Sequence, residues 1–358
     1  MPPPLLEIKN LSAHIPSSKG KIVTVDDVSL TIDEKECFGL LGESGCGKTS
    51  LILAALGFFQ IAHKYKDAKV EQGALSPFQL DSFSQEVWNK TVTGSVFYRG
   101  TDLLALSARE RAVFLGSHIS FVPQGLHGAL TPIFSIGDQT AEPLEIHESD
   151  IRRAAMRERV LDCLDLVNLA AARERYFQDP SLFSGGEAQR ILIAISLVSG
   201  PYLVIADEPT SALDVTVQAQ IMNVLKMVKE DFAVALMIVS HDAGVIAEMS
   251  DRVGVMYAGR LVEVGESVQM FHEPSHPYTK GLMDSFPTIA MIRKSAGSKR
   301  RRLRGIPGAP PDLRKVPMGC AFHPRCPHTE SVCLTERPYL REVERGHLVA
   351  CHRHDEVD

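Results

Sequence analysis

The stretch Gly42-Glu43-Ser44-Gly45-Cys46-Gly47-Lys48-Thr49-Ser50 narrows the possible folds more than any other in the chain. An apolar run, Cys37 to Leu41, precedes it, and a helix-like run, Leu51 to Leu56, follows. Strand, glycine-rich loop and helix in that order form a phosphate cradle, because loop N–H groups and the positive helix end converge on one anion. Lys48 is placed to neutralise the β- and γ-phosphates, and the Thr49 hydroxyl to ligate Mg²⁺. The loop therefore predicts a nucleotide-binding protein.

The 358 residues, 44% hydrophobic and 23% charged, leave room for one large α/β domain and an appended unit. A net charge of −6 gives no reason to expect a nucleic-acid partner. One local exception is the basic run from Arg293 to Arg304. It reads as a solvated linker, with contact to anionic lipid headgroups or to a partner's acidic face as the alternative. The first residues, Met1-Pro2-Pro3-Pro4-Leu5-Leu6-Glu7, lack the pattern of a signal peptide. The longest apolar runs, Ile191 to Val198 and Phe232 to Val239, are too short for a membrane span. The expectation is a cytosolic chain that meets a membrane only through a partner.

Along the chain, Leu5 to Leu11 and Ile22 to Ile32 read as strands, and Gly94 to Gly100 as a third. Asp102 to Leu115 reads as a short amphipathic helix and Ser117 to Gln124 as a strand. The segment of about 57–93 is polar, broken and weakly periodic, and is expected to be a surface insertion. Between Gly137 and Ala172 apolar residues recur at helical spacing, which predicts a helical subdomain (about 125–200) set into the sheet. Tyr202 to Glu208 is a buried parallel strand ending in two acids, and Val234 to Ser240 another, followed by His241. Asp251 to Tyr257 and Arg260 to Val264 form a hairpin over Ala258-Gly259, and His276 to Phe286 a last helix. Strands alternating with helices predict an α/β fold with a mainly parallel sheet and helices on both faces.

Ligands gather at the carboxyl ends of such strands. Asp207 is there to hold Mg²⁺, and Glu208 to polarise the attacking water as general base. His241 ends a neighbouring strand and is a candidate γ-phosphate contact and water positioner. Gln124 ends another, with an amide able to touch Mg²⁺ or water. Ser184-Gly185-Gly186 opens a helix and makes a second anion cradle. One chain rarely needs two γ-phosphate cradles, so the second is expected to serve a nucleotide held by another subunit.

These residues resemble the ATP-binding subunits of ABC transporters. The loop at Gly42 to Ser50 matches the Walker A motif, Gln124 the Q-loop, and Phe183 to Glu187 the signature. Leu203 to Glu208 matches Walker B, Ser211 to Asp214 the D-loop, and His241 the switch histidine. The wording of Ala206 to Gln220, of Ile136-Gly137-Asp138-Gln139 and of His276-Pro277-Tyr278-Thr279 is similar to the oligopeptide, dipeptide and nickel importer branch. The tail agrees, through Ile306-Pro307-Gly308, Gly319 to Pro327 and Ala350-Cys351-His352. Glu187 stands where the family usually has Gln, and Ile15 near where many relatives carry an adenine-stacking aromatic.

The resemblance implies an ATPase domain over residues 1–270, with an antiparallel β subdomain, and a C-terminal extension over 271–358. It implies ATP and Mg²⁺ as ligands, with Lys48, Glu208 and His241 as catalytic residues. Two such subunits would close head to tail around two ATP molecules, more often as a heterodimer in this branch. The other implied partners are two transmembrane permease subunits and, indirectly, a substrate-binding protein, at the cytoplasmic face of the membrane. Peptides are the implied cargo, with oligosaccharides or nickel chelates as alternatives. A soluble ATPase acting on ribosomes or DNA is the rival reading, but those proteins usually carry paired domains or a long coiled coil.

Of seven cysteines, Cys320, Cys326, Cys333 and Cys351 crowd the tail, which in a reducing compartment argues for metal before disulfides. Their spacing is neither a pair of C-x2-C knuckles nor a ferredoxin run. Zinc, recruiting His323, His352 or His354, a cluster, and free or disulfide cysteines all remain open on the residues alone. Resemblance to the importer branch implies a [4Fe–4S] cluster.

Overall fold

The computed structural model describes residues 3–17, 20–59, 91–125, 129–211, 213–285 and 305–353. Most of the expected insertion (residues 60–90) and the basic run lie outside the described residues, as do Ala212 of the D-loop match and His354.

Strands β1 (Leu6–Ser17) and β2 (Gly20–Ile32) pair antiparallel, and β3 (Cys37–Leu41) then enters a different sheet. Strands β4 (Val92–Tyr98) and β5 (Thr101–Asp102) return to the first, giving a four-stranded antiparallel sheet in the order β2-β1-β4-β5. The second sheet adds β6 (Ile119–Val122), β7 (Leu203–Asp207), β8 (Ala235–Ser240), β9 (Arg252–Tyr257), β10 (Arg260–Glu266), β11 (Arg341–Glu344) and β12 (His347–Val349). Its order is β11-β12-β10-β9-β3-β8-β7-β6. The run from β9 to β6 is parallel; β10, β12 and β11 pair antiparallel at one edge.

The central strands are apolar on both faces because each divides its side chains between two cores. Val204 and Ala206 of β7 and Leu236 and Ile238 of β8 join one core, with the helices Ile136–His147, Arg153–Leu166 and Gly185–Leu197. Leu203, Ile205, Met237 and Val239 join the other, with the antiparallel sheet and helix Lys48–Ala55. A period of two along a strand covered on both faces produces this division.

The β9–β10 turn has positive φ at both Ala258 and Gly259, the twist that closes a two-residue hairpin. The helix expected over Asp102 to Leu115 is only Ala108–Ala112, because Ser107 and Glu110 cap each other there in a capping box. Strands β11 and β12 carry no sequence signal of their own: Arg341, Glu342 and Glu344 are exposed, and the pairing of β12 with β10 defines them. Among the described residues, no helix is long and apolar enough to cross a membrane.

Candidate active site

Four neighbouring parallel strands deliver the predicted residues to one sheet edge. The phosphate loop follows β3, His241 follows β8, Asp207 ends β7 and Gln124 lies two residues past β6. Register keeps them level, since Leu41 pairs with Ser240 and Asp207 with Val239. The topology thus brings residues separated by up to about two hundred positions to one edge, as open α/β sheets do at the carboxyl ends of their strands.

Gly47 caps helix Lys48–Ala55 in the left-handed region (φ 112), and a Cβ there would collide with the Thr24 carbonyl. Only glycine satisfies both demands. The helix starts with no acidic residue in its first turn and no side-chain cap, so its N–H groups face the loop unchallenged by a carboxylate. Lys48 is 6% exposed and donates to the carbonyls of Gly42 (2.7 Å) and Glu43 (3.2 Å), which holds the ammonium across the loop. The Cys46 carbonyl accepts from Gly259 N–H at 2.8 Å and ties the loop to the β9–β10 turn. Ser44 and Gly45 are exposed, Ser50 partly so.

The Thr49 hydroxyl donates to Asp207 Oδ2 at 2.7 Å, so the two residues expected to share Mg²⁺ already touch. Asp207 is 1% exposed, and its Oδ1 is buried with no hydrogen-bond partner. Burial, and then the neighbouring Glu208 charge, push its carboxyl above the ordinary range. A buried carboxylate with an unpaired oxygen fits a cation site.

Glu208 has φ 51 although it is not glycine. Left-handed backbone at such a residue persists only where its surroundings impose it, here through its N–H bond to the Val239 carbonyl (2.8 Å). Both carboxylate oxygens lie 2.8 Å from His241 Nδ1, while the His241 ring is mostly exposed. Gln124 is exposed.

Ser184 caps helix Gly185–Leu197 in a capping box with Glu187. The Glu187 carboxylate accepts from Ser184 N–H and Oγ (both 2.9 Å) and pairs with Arg175. The guanidinium holds that carboxyl down at about 2. Gly186 is forced by close packing, since a Cβ would strike Val217 of helix Val215–Phe232. Among the described residues, no hydrogen bond links Ser184, Gly185 or Gly186 to the phosphate loop of the same chain.

The sequence did not point to the contacts of Glu43. Its N–H donates to Tyr278 Oη (3.0 Å), and its carboxylate takes two hydrogen bonds from Arg325 (2.7 and 2.9 Å). Within the loop, its carbonyl accepts from Lys48. Arg325 belongs to the cysteine-bearing tail, and no local pattern could have paired it with a residue 282 positions away.

Cys320, Cys326, Cys333 and Cys351 all line one small cavity, beside His276, Phe322, His323 and His352. Burial, then the proximity of the other three thiols, push Cys351 up to about 11. Among the described residues, however, no group of three or more His, Cys, Asp or Glu side chains is set to hold a metal ion. That bears equally on the zinc and the cluster expected from the sequence, and His354 lies outside the described residues.

Residues 25–211 match the family described as ABC transporter, and residues 262–333 the oligopeptide/dipeptide transporter C-terminal region. A probable peptide ABC transporter ATP-binding protein of Sinorhizobium fredii is 38% identical over 353 residues, spanning 99% of this chain and 96% of the relative. The dipeptide transport ATP-binding protein DppD of Bacillus subtilis is 36% identical over 98% of this chain and 95% of its own length. The oligopeptide transport ATP-binding protein OppD of Mycobacterium bovis is 37% identical over 98% of this chain, which spans only 52% of that relative. Among solved structures, a dimeric ATP-binding cassette in a post-hydrolysis state with ADP and phosphate superposes with a TM-score of 0.58 at 23% identity. That likeness covers 73% of this chain and 98% of the other, and it shows the fold alone.

Proposed function

The chain belongs to the ABC transporter family, in the branch with an oligopeptide/dipeptide transporter C-terminal region, and from that premise we propose that it hydrolyses ATP to drive peptide uptake. The observation that carries the reading is the meeting of Thr49 with Asp207 and of Glu208 with His241 at adjacent strand ends.

Lys48 exchanges its bonds to the Gly42 and Glu43 carbonyls for the β- and γ-phosphate oxygens, with the helix N-terminus behind it. Mg²⁺, held by Thr49 and Asp207 with Gln124 at the margin, would neutralise charge on the β- and γ-phosphates. Glu208 orients a water, whose oxygen bonds to the γ-phosphorus as the bond to the β–γ bridging oxygen breaks. The proton passes to the Glu208 carboxylate, and ADP and phosphate leave. His241 holds the Glu208 carboxylate in place and has an exposed ring edge free to meet the γ-phosphate.

Ser184, Gly185 and Gly186 serve a nucleotide carried by a second ATPase subunit, as a heterodimer by resemblance to the branch. Two permease subunits and a binding protein complete the transporter, with this chain at the cytoplasmic face of the membrane. The four tail thiols line one cavity, and by resemblance to the importer branch we assign them a [4Fe–4S] cluster, with zinc as the alternative. Acid-labile sulfide and iron in equal amounts in the purified chain support that assignment; zinc alone contradicts it.

Glu208→Gln tests the mechanism. It keeps the hydrogen-bonding shape beside His241 and removes the base, so ATP binding should persist while turnover falls by about 10²–10⁴. Near-normal hydrolysis would overturn Glu208 as the base.

A further inference from the structure

Arg325 sits in the short turn His323–Arg325, directly before Cys326. Its side chain is 5% exposed and bridges three elements: the phosphate loop through Glu43, the Pro307 carbonyl (2.9 Å), and Tyr257 Oη at the end of β9 (3.4 Å). Tyr278, packed at a tilt against Tyr257 and edge-on against Phe322, accepts the Glu43 N–H. The leading half of the loop is thus held by the C-terminal extension, and the trailing half by the β9–β10 turn.

Glu43 puts a carboxylate one residue beyond Gly42, whose carbonyl holds the Lys48 ammonium. Unpaired, that charge would repel the phosphates the loop has to receive. We propose that Arg325 is a positioning residue for nucleotide binding, which neutralises and turns away the Glu43 carboxylate and so lets the cysteine-bearing extension set the affinity of the phosphate loop. This rests on the reading of the loop as an ATP site. The fork geometry suits the task, since a guanidinium takes both carboxylate oxygens at once and stays charged.

The experiment measures KM for ATP, kcat and thermal stability in the full-length protein assembled with its transporter subunits. Arg325→Gln should raise KM about tenfold with a smaller change in kcat, and Arg325→Lys should recover part of it through one hydrogen bond. Adding Glu43→Gln to Arg325→Gln should lower KM again, because the repelling charge is gone; a residue that only braces the tail could not be rescued this way. Tyr278→Phe, which strips the acceptor from Glu43 N–H, should also raise KM. Unchanged KM in Arg325→Gln, or lost stability without rescue by Glu43→Gln, overturns the inference while ATP binding by the unsubstituted protein stands. Failure of the unsubstituted protein to bind ATP overturns the nucleotide reading, and this inference with it.

Discussion

At the start of helix Lys48–Ala55 the cap is a glycine, no acid lies in the first turn, and a lysine is folded over the loop. At the start of helix Gly185–Leu197 the cap is Ser184, and Glu187 lays a carboxylate across the same kind of helix end, fixed there by Arg175. Both ends offer N–H groups and a positive dipole. The first is kept for an outside anion; the second already satisfies itself. A phosphate could take the first alone, whereas at the second it must share the N–H groups with Glu187, which suits a ligand already held by another chain's loop.

Variants at the two helix ends should separate accordingly. Lys48→Ala removes the loop's only cation, and should weaken ATP binding about tenfold or more and cut turnover by about 10²–10³, read by titration with a fluorescent ATP analogue and by phosphate release. Asp207→Asn should lose Mg²⁺-dependent turnover to a similar degree, yet unfold at a higher temperature than the parent at neutral pH. Burial raises the folded carboxyl above its ordinary 3.8, so its ionisation costs stability as pH rises past that value. The melting difference should therefore shrink as pH falls through 3.8 and vanish below it, where both folded and unfolded carboxyls are protonated. Equal melting temperatures at pH 7 would contradict the burial argument.

At the second helix end the expected effects are smaller. Glu187→Gln keeps a hydrogen-bonding cap and loses the ion pair with Arg175, and should cost about 1 kcal/mol in denaturant unfolding. Because the Glu187 carboxyl is held down at about 2, its contribution is complete above its ordinary 4.5 and fades as pH falls toward 2. Acid titration of the parent and the variant should converge in that window; a constant gap would mean that Arg175 is not the cause.

The contrast also separates what a sequence can and cannot reveal. Strand, glycine loop and helix are contiguous, so the cradle at Gly42 to Ser50 is legible from local chemistry, as are Asp207-Glu208 after an apolar run. His241 and Gln124 are visible only as residues ending strands; their meeting at one edge is the work of the parallel register. The bonds of Arg325 to Glu43 and of β12 to β10 join distant residues by tertiary packing, and nothing in the local pattern of the tail announces either. Glu187 is a departure whose meaning came from Arg175, which lies on another element and now stands 12 residues upstream as its counterion.

The central claim is that the two helix ends serve different nucleotides, and Ser184→Ala tests it most directly when ATP affinity of this chain and turnover of the assembled transporter are measured side by side. Removing the cap should cost about 1 kcal/mol of stability, leave the affinity of this chain's own loop unchanged, and lower turnover about tenfold or more by weakening a γ-phosphate contact. Loss of ATP affinity in this chain, matching that of Lys48→Ala, would contradict the account, because Ser184 would then be serving the loop of its own chain.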